Sequence, residues 1–203
     1  MKQERLKELR AEMEKRGITV YVVPTADFHE SEYVGDHFKA RKFITGFTGS
    51  AGTAVITLDE AGLWTDGRYF VQAENQLKDS TVTLYRMGEE GVPTVDEFVK
   101  DRLKEGGCLG FDGRVVNGTW GGKLEKIAAE KNVSMHVTED LIDLIWEDRQ
   151  ALSKQPLFIL EEKYSGKSTA DKIADLRKAM KENGADVHIL TSLYDIAWLL
   201  NIR

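Results

Sequence analysis

Along residues 2–16, Leu6, Leu9 and Met13 recur at helical spacing among charged positions, and Gly17 supplies the stop. Residues 18–23 are apolar and largely β-branched, the pattern of a buried strand, and Pro24 ends it. Residues 53–58 and 63–65 read as paired strands, with Asp59-Glu60-Ala61-Gly62 as the turn. Asp66 then stands where an N-cap would serve a helix running through about residue 77. Strands are predicted at 81–86, 108–111 and 133–137, and helices at 94–103, at 123–131 and around 141–146. The pattern lapses at 150–156, a linker. Beyond it follow a strand at 157–160, a helix at 168–182, a strand at 187–190 and an apolar helix at 196–202. Strands alternating with helices predict an α/β fold, a sheet covered by helices on both faces. The hairpin at 53–65 makes that sheet mixed.

The helix-glycine-strand pattern occurs twice. An ungapped offset of 167 residues places Leu9, Arg10, Met13, Gly17 and Val20 on Leu176, Arg177, Met180, Gly184 and Val187. Leu6 falls on Ile173, and Val22 and Val23 fall on Ile189 and Leu190. Packing alone imposes a similar pattern on any amphipathic helix before a strand. Five identities at one offset favour duplication. The expected organisation is therefore a first domain over 1–152, then a linker and the incomplete start of a similar domain over 153–203. The apolar stretch Trp198-Leu199-Leu200 suits a piece of a longer protein better than a free end.

Composition narrows the function classes. Thirty-four acids against 28 Lys and Arg leave a net charge of −6, without the cationic stripe a nucleic-acid binder needs. The same balance gives no attraction to an anionic membrane. A single cysteine, Cys108, cannot close an internal disulfide, which suits the reducing cytosol. No apolar run approaches a membrane span, and the charged residues 2–5 lead straight into a helix rather than a signal peptide.

Candidate chemistry is thin. Gly166-Lys167-Ser168 lies between a strand and a helix, like the tail of a nucleotide phosphate loop. The glycine that would complete the motif is replaced by Glu161, with Glu162 beside it, so a helix cap is the better reading. The glycines of 46–52 lead into a strand, whereas a dinucleotide loop opens a helix. His29, Glu30, Glu32, Asp36 and His37 crowd nine residues, but the helical zinc spacing would need a histidine where Tyr33 stands. His136 and His188 read as packed strand residues. Ser50 and Cys108 have no histidine in a nucleophile arrangement. No catalytic, cofactor-binding or metal-binding residue emerges.

Phe43-Ile44-Thr45-Gly46-Phe47-Thr48-Gly49-Ser50-Ala51-Gly52 and Leu63-Trp64-Thr65-Asp66-Gly67-Arg68-Tyr69-Phe70 resemble the N-terminal domain of the X-prolyl aminopeptidases, in the creatinase and prolidase superfamily. Tyr21 through Tyr33, Ile145-Trp146-Glu147-Asp148-Arg149 and Ile196 through Arg203 extend the resemblance over essentially the whole chain. It is closest to the long, three-domain cytosolic form, whose first two domains resemble each other. One departure is Gln150, where the family often has proline.

The resemblance implies an enzyme that removes the first residue of peptides carrying proline second. It further implies two manganese ions in a C-terminal domain beyond Arg203, so no ligand is carried over to this chain. Domains of this kind take part in homo-oligomer contacts and wall the substrate cleft, which makes Arg68, Asp66 and His29 candidate cleft contacts. Arg68 has two readings. In one it is a strut paired with Asp66 or Glu32; in the other it meets substrate, or an acidic group of the catalytic domain, across the cleft. It is expected in the first turn of a helix, where the macrodipole disfavours a cation. The competing functional reading is a free-standing binding or interaction module without a peptidase domain.

Overall fold

The computed structural model describes residues 2–203. The chain forms two units. One holds the residues up to Phe28 together with Glu32–Ala151, and the other His29–Ser31 together with Leu152–Arg203.

The first unit is built on six strands: β1 Val20–Pro24, β2 Thr53–Thr57, β3 Ala61–Thr65, β4 Thr83–Arg86, β5 Cys108–Phe111 and β6 Ser134–His136. Their order is β4-β3-β2-β1-β5-β6. β1 runs antiparallel to β2, as β2 does to β3, while the β3/β4, β1/β5 and β5/β6 pairs are parallel. The sheet is mixed, as the hairpin required. Its turn is shorter than predicted, because β3 begins at Ala61 and Thr57 closes directly on Glu60 at 2.9 Å.

Alternation along β1 divides the core. Tyr21 and Val23 face α1 (Lys2–Lys15), α2 (Ala40–Thr45) and α3 (Phe70–Leu77), where Leu6, Leu9, Met13, Ile44 and Ala73 are buried. Val20 and Val22 face α4 (Val95–Arg102) and α5 (Gly118–Glu130), packing with Trp64, Phe98, Val99 and Leu124. A strand buried on both faces reads as one continuous apolar run, which is why 18–23 stood out.

Two predicted elements of this unit differ. α5 begins at Gly118, five residues early, because Asn117 accepts from Trp120 N (2.9 Å) and Trp120 Nε1 donates to Asp96 (2.8 Å). That cap and anchor outweigh the poor helix propensity of Gly118, Gly121 and Gly122. Residues 141–146 form turns rather than a helix. There Leu141 N donates to Tyr21 OH (2.9 Å) and Ile142 N to Asp140 (3.0 Å), and the chain closes on three-residue turns, Asp143 N to the Asp140 carbonyl (3.1 Å) and Ile145 N to that of Ile142 (3.2 Å).

The second unit contains α6 (Glu162–Ser165), α7 (Thr169–Glu182) and α8 (Leu193–Leu200). The strands expected at 157–160 and 187–190 do not form. The first contributes a single bridge, Ile159 to Ile202, and the second has no ladder partner among the described residues. Lys172 is buried; its Nζ donates to Asn201 Oδ1 (2.6 Å) and the Trp198 carbonyl (2.8 Å).

α1 and α7 share the offset of 167 at both ends, and both end identically. Gly17 (φ 68°) and Gly184 (φ 64°) take the left-handed conformation. Ile18 N donates to the Met13 carbonyl, as Ala185 N does to that of Met180, each at 2.9 Å. Among the described residues no helix is long and apolar enough to cross a membrane.

Candidate functional site

The carboxyl ends of β1 and β3 lie on one edge of the sheet, the edge where open α/β sheets bind ligands. The loop 46–52 reaches β2 at that same edge because β2 runs the opposite way.

Buried Arg41 holds the loop in place. Its Nε donates to Thr25 Oγ1 (3.0 Å), Nη1 to the Phe47 carbonyl (2.6 Å) and Nη2 to the Gly49 carbonyl. Thr25 and Thr65 tie down the loop's far end through the carbonyls of Gly52 (2.7 Å) and Ala51 (2.8 Å). Gly49 lies under two rings, and a Cβ there would stand 2.3 Å from Phe47 Cζ and 2.8 Å from Tyr69 Cδ1. Ser50 Oγ and Tyr69 OH are hydrogen-bonded at 2.7 Å, which joins this loop to the 63–70 motif.

Asp66 follows β3 directly, but it does not cap α3, whose N-cap is Tyr69 without a side-chain bond. Asp66 instead closes the turn before the helix, accepting from Arg68 N (3.1 Å) while its carbonyl accepts from Tyr69 N (2.9 Å). Arg68 therefore precedes the helix, and the expected conflict with the macrodipole does not arise. Its guanidinium grips Asp66 with two bonds, Nε to Oδ1 at 2.8 Å and Nη2 to Oδ2 at 2.9 Å. Those hydrogen bonds hold the Asp66 carboxyl down at about 2 and raise Arg68 above its ordinary value. Arg68 nevertheless keeps a side-chain exposure of 70%, so a solute can reach it.

Sequence reasoning missed a twin of this turn. Asp112-Gly113-Arg114 follows β5 as Asp66-Gly67-Arg68 follows β3. Arg114 Nε donates to Asp112 Oδ1 (2.9 Å) and Nη2 to Oδ2 (3.0 Å). Because β3 and β5 run parallel to β1, both turns stand on the carboxyl edge. The repeated Asp-Gly-Arg triplet, each time just past an apolar run, was the available signal.

The structure brings Asp66 and Arg68 together. His29 belongs to the second unit, where Nδ1 lies 3.1 Å from the Thr191 carbonyl. Among the described residues no three of His, Cys, Asp and Glu gather as a metal would require. His37 Nδ1 instead meets the Gln150 carbonyl at 2.9 Å, and Asp36 pairs with Lys39. Ser168 caps α7 by accepting from Asp171 N (3.1 Å), and Lys167 pairs with Asp175, so the phosphate-loop residues are spent on helix structure. Cys108 is buried on β5, and His136 Nε2 lies 3.3 Å from Glu139. His188 sits on no strand.

Comparison with known proteins identifies the fold and its relatives. A family model described as the creatinase/prolidase N-terminal domain matches residues 5–145, and a second model of the same description matches 148–203. A probable Xaa-Pro aminopeptidase P of Sordaria macrospora is 43% identical over 98% of this chain and 33% of its own length. Aminopeptidase P2 of Arabidopsis thaliana is 40% identical over 92% of this chain and 27% of its own. The chain thus spans about a third of the length of such relatives. An X-prolyl aminopeptidase from Caenorhabditis elegans, described as a cytosolic enzyme with a di-nuclear active site, superposes with a TM-score of 0.88. It is 34% identical, over 100% of this chain and 35% of that one. The N-terminal domain of the cytoplasmic peptidase PepQ from Mycobacterium tuberculosis shares the fold at 24% identity and a TM-score of 0.50, over 70% of this chain and 98% of that one. With one family model spanning most of its length, this chain belongs to the creatinase/prolidase N-terminal domain family.

Proposed function

We propose that this chain is the non-catalytic amino-terminal part of an Xaa-Pro aminopeptidase, which removes the first residue of peptides carrying proline second. The observation that carries this reading is the likeness to the nematode X-prolyl aminopeptidase, with a TM-score of 0.88 over the whole chain. In this reading the protein acts in the cytosol as a homo-oligomer. Its two metal ions, read as manganese, sit in a separate catalytic domain. The residues described here offer no ligand set for those ions, so no metal-dependent step is assigned to this chain.

The chain's own contribution is to wall the substrate cleft. Arg68 is the best candidate contact, being two-thirds exposed yet fixed in direction by its double bond to Asp66. A preorganised guanidinium loses little side-chain freedom on meeting a peptide carbonyl or carboxylate. Residues 153–203 are read as the opening of a second domain like the first. The shared helix end at Gly17 and Gly184 supports this. So does the exposure of Val187 (75%) and Ile189 (78%), whose counterparts Val20 and Val22 are core residues.

The test is an assay of the full-length protein that carries this chain. Manganese-dependent release of the first residue from an Arg-Pro peptide is expected, with none from an Arg-Ala peptide. The 203-residue chain alone is expected to release nothing. Full-length protein inactive on the proline peptide overturns the reading; release by the chain alone overturns its non-catalytic part. For the cleft role, Arg68→Ala should lower kcat/KM of the enzyme that remains folded. A lower Tm with normal kinetics makes Arg68 a strut.

A further inference from the structure

A cavity of about 340 Å3 lies within the first unit beside the 46–52 loop, where Thr25 follows β1. Its wall joins apolar Val34 and Phe38 to the hydroxyls of Thr48 and Ser50 and to a group of cations. Three cations, Lys39, Arg41 and Lys42, line it against a single acid, Glu32, so the wall is net positive.

Arg41 is the unusual member. It is 3% exposed, yet its three hydrogen bonds all go to neutral oxygens, those of Thr25, Phe47 and Gly49. Among the described residues no carboxylate lies within ion-pair distance of it, whereas buried arginines are normally paired. Burial lowers its pKa only to about 10, so it is charged at neutral pH. A guanidinium carries five N–H donors, and three bonds leave capacity for another acceptor. Lys42, the next residue, is exposed and pairs with no carboxylate among the described residues, while Lys39 is already paired with Asp36. Two adjacent cations with no ion pair of their own among the described residues, set beside an apolar pair in one cavity, form half of a recognition site. The missing half is a carboxylate with an apolar neighbour.

We propose that this cavity binds the C-terminal carboxylate of a peptide whose last residue is apolar, with the carboxylate at Arg41 and Lys42 and the side chain at Val34 and Phe38. That the ligand is a peptide rests on the peptidase reading; that it is a carboxylate rests on the cavity alone. For substrates held by their first residue elsewhere, a second hold at the far end would favour peptides of matching length.

The experiment follows the backbone amides of Thr48, Gly49 and Ser50 by NMR in the isotope-labelled 203-residue chain. The probes are N-acetyl-Gly-Phe with a free carboxylate, the same compound as its C-terminal amide, and N-acetyl-Glu amide, whose carboxylate is on the side chain. The free acid should shift all three amides saturably, and the two amides should not. Lys42→Gln should weaken acid binding about threefold, the scale of a partly exposed ion pair. Lys42 is exposed, so the variant keeps its fold, and unchanged resonances elsewhere check this. Equal shifts from the acid and its amide, or none at about 10 mM, where even a millimolar site fills, overturn the proposal. Equal binding of N-acetyl-Glu amide overturns the peptide-terminus assignment in favour of an acidic side chain. None of these outcomes touches the aminopeptidase assay, so the two readings fail separately.

Discussion

The Arg149 guanidinium donates to the Asp140 carboxylate across 2.6 Å, and the two side chains are only 8% and 6% exposed. Arg149 also donates to the His37 carbonyl (2.9 Å) and lies over Trp146, whose ring stacks on Phe43 at 4.5 Å. The pair therefore fastens the turns at 141–146 to the core. Removing one partner strands a buried charge. Arg149→Met should cost about 3–5 kcal/mol in urea unfolding. Arg149→Met with Asp140→Asn should recover a large part of that loss, because the second change removes the stranded anion. A single variant within 1 kcal/mol of wild type, on the scale of an exposed pair, would show that water reaches the pair.

The Asp66 titration should report directly on its grip by Arg68. The carboxyl is held at about 2 chiefly by the Arg68 hydrogen bonds. In Arg68→Ala its midpoint should return toward the ordinary value of about 3.9, followed by carboxyl-carbon NMR. The sign follows from linkage. A depressed carboxyl stabilises the fold fully above its unfolded value, and that contribution fades as pH falls through about 2. An unmoved midpoint in the variant would assign the depression to the backbone amides of the turn instead.

Gly49 should tolerate no side chain. A Cβ at 2.3 Å from Phe47 Cζ and 2.8 Å from Tyr69 Cδ1 forces one ring to move. Overpacking of this kind costs about 1–3 kcal/mol, so Gly49→Ala should lower Tm by several degrees. Phe47→Leu on the same background should restore part of the loss, since it removes the nearest ring atoms. Lack of any rescue would place the strain in the loop backbone.

Much of this architecture was legible because the strands are buried on both faces. An apolar run such as Val20–Val23 leaves little doubt about a central strand, and Cys108–Phe111 is bounded as the sequence suggests. What misled were segments held in place by distant groups. Tyr21 sits 120 residues from the Leu141 amide it accepts, and no local pattern shows that bond. Asp66 looked like a helix cap because any acid before a helical pattern does; only the geometry shows its carboxylate turned on Arg68. Arg41 was invisible for the opposite reason. No pattern in the sequence marks the helix at Ala40–Thr45, and the burial of its arginine depends on loop carbonyls six and eight residues away.

The two glycine-ended helices should respond differently to the same substitution. Gly17 and Gly184 both sit at left-handed φ with no neighbour within 4 Å of an added Cβ, so alanine meets only backbone strain at each. That intrinsic cost is about 1 kcal/mol in both places. The consequence depends on what each helix buries. Leu6, Leu9 and Met13 of α1 are 0–1% exposed, whereas Ile173, Leu176 and Met180 of α7 are only partly covered. Unzipping α1 therefore uncovers the core, but fraying α7 uncovers little. Gly17→Ala should lower the protection of the slowest-exchanging amides of β1 and β5, the signature of global unfolding. Gly184→Ala should speed exchange within α7 alone and leave β1 untouched. Equal loss of protection in β1 from both variants would contradict this division and show the two units unfolding as one.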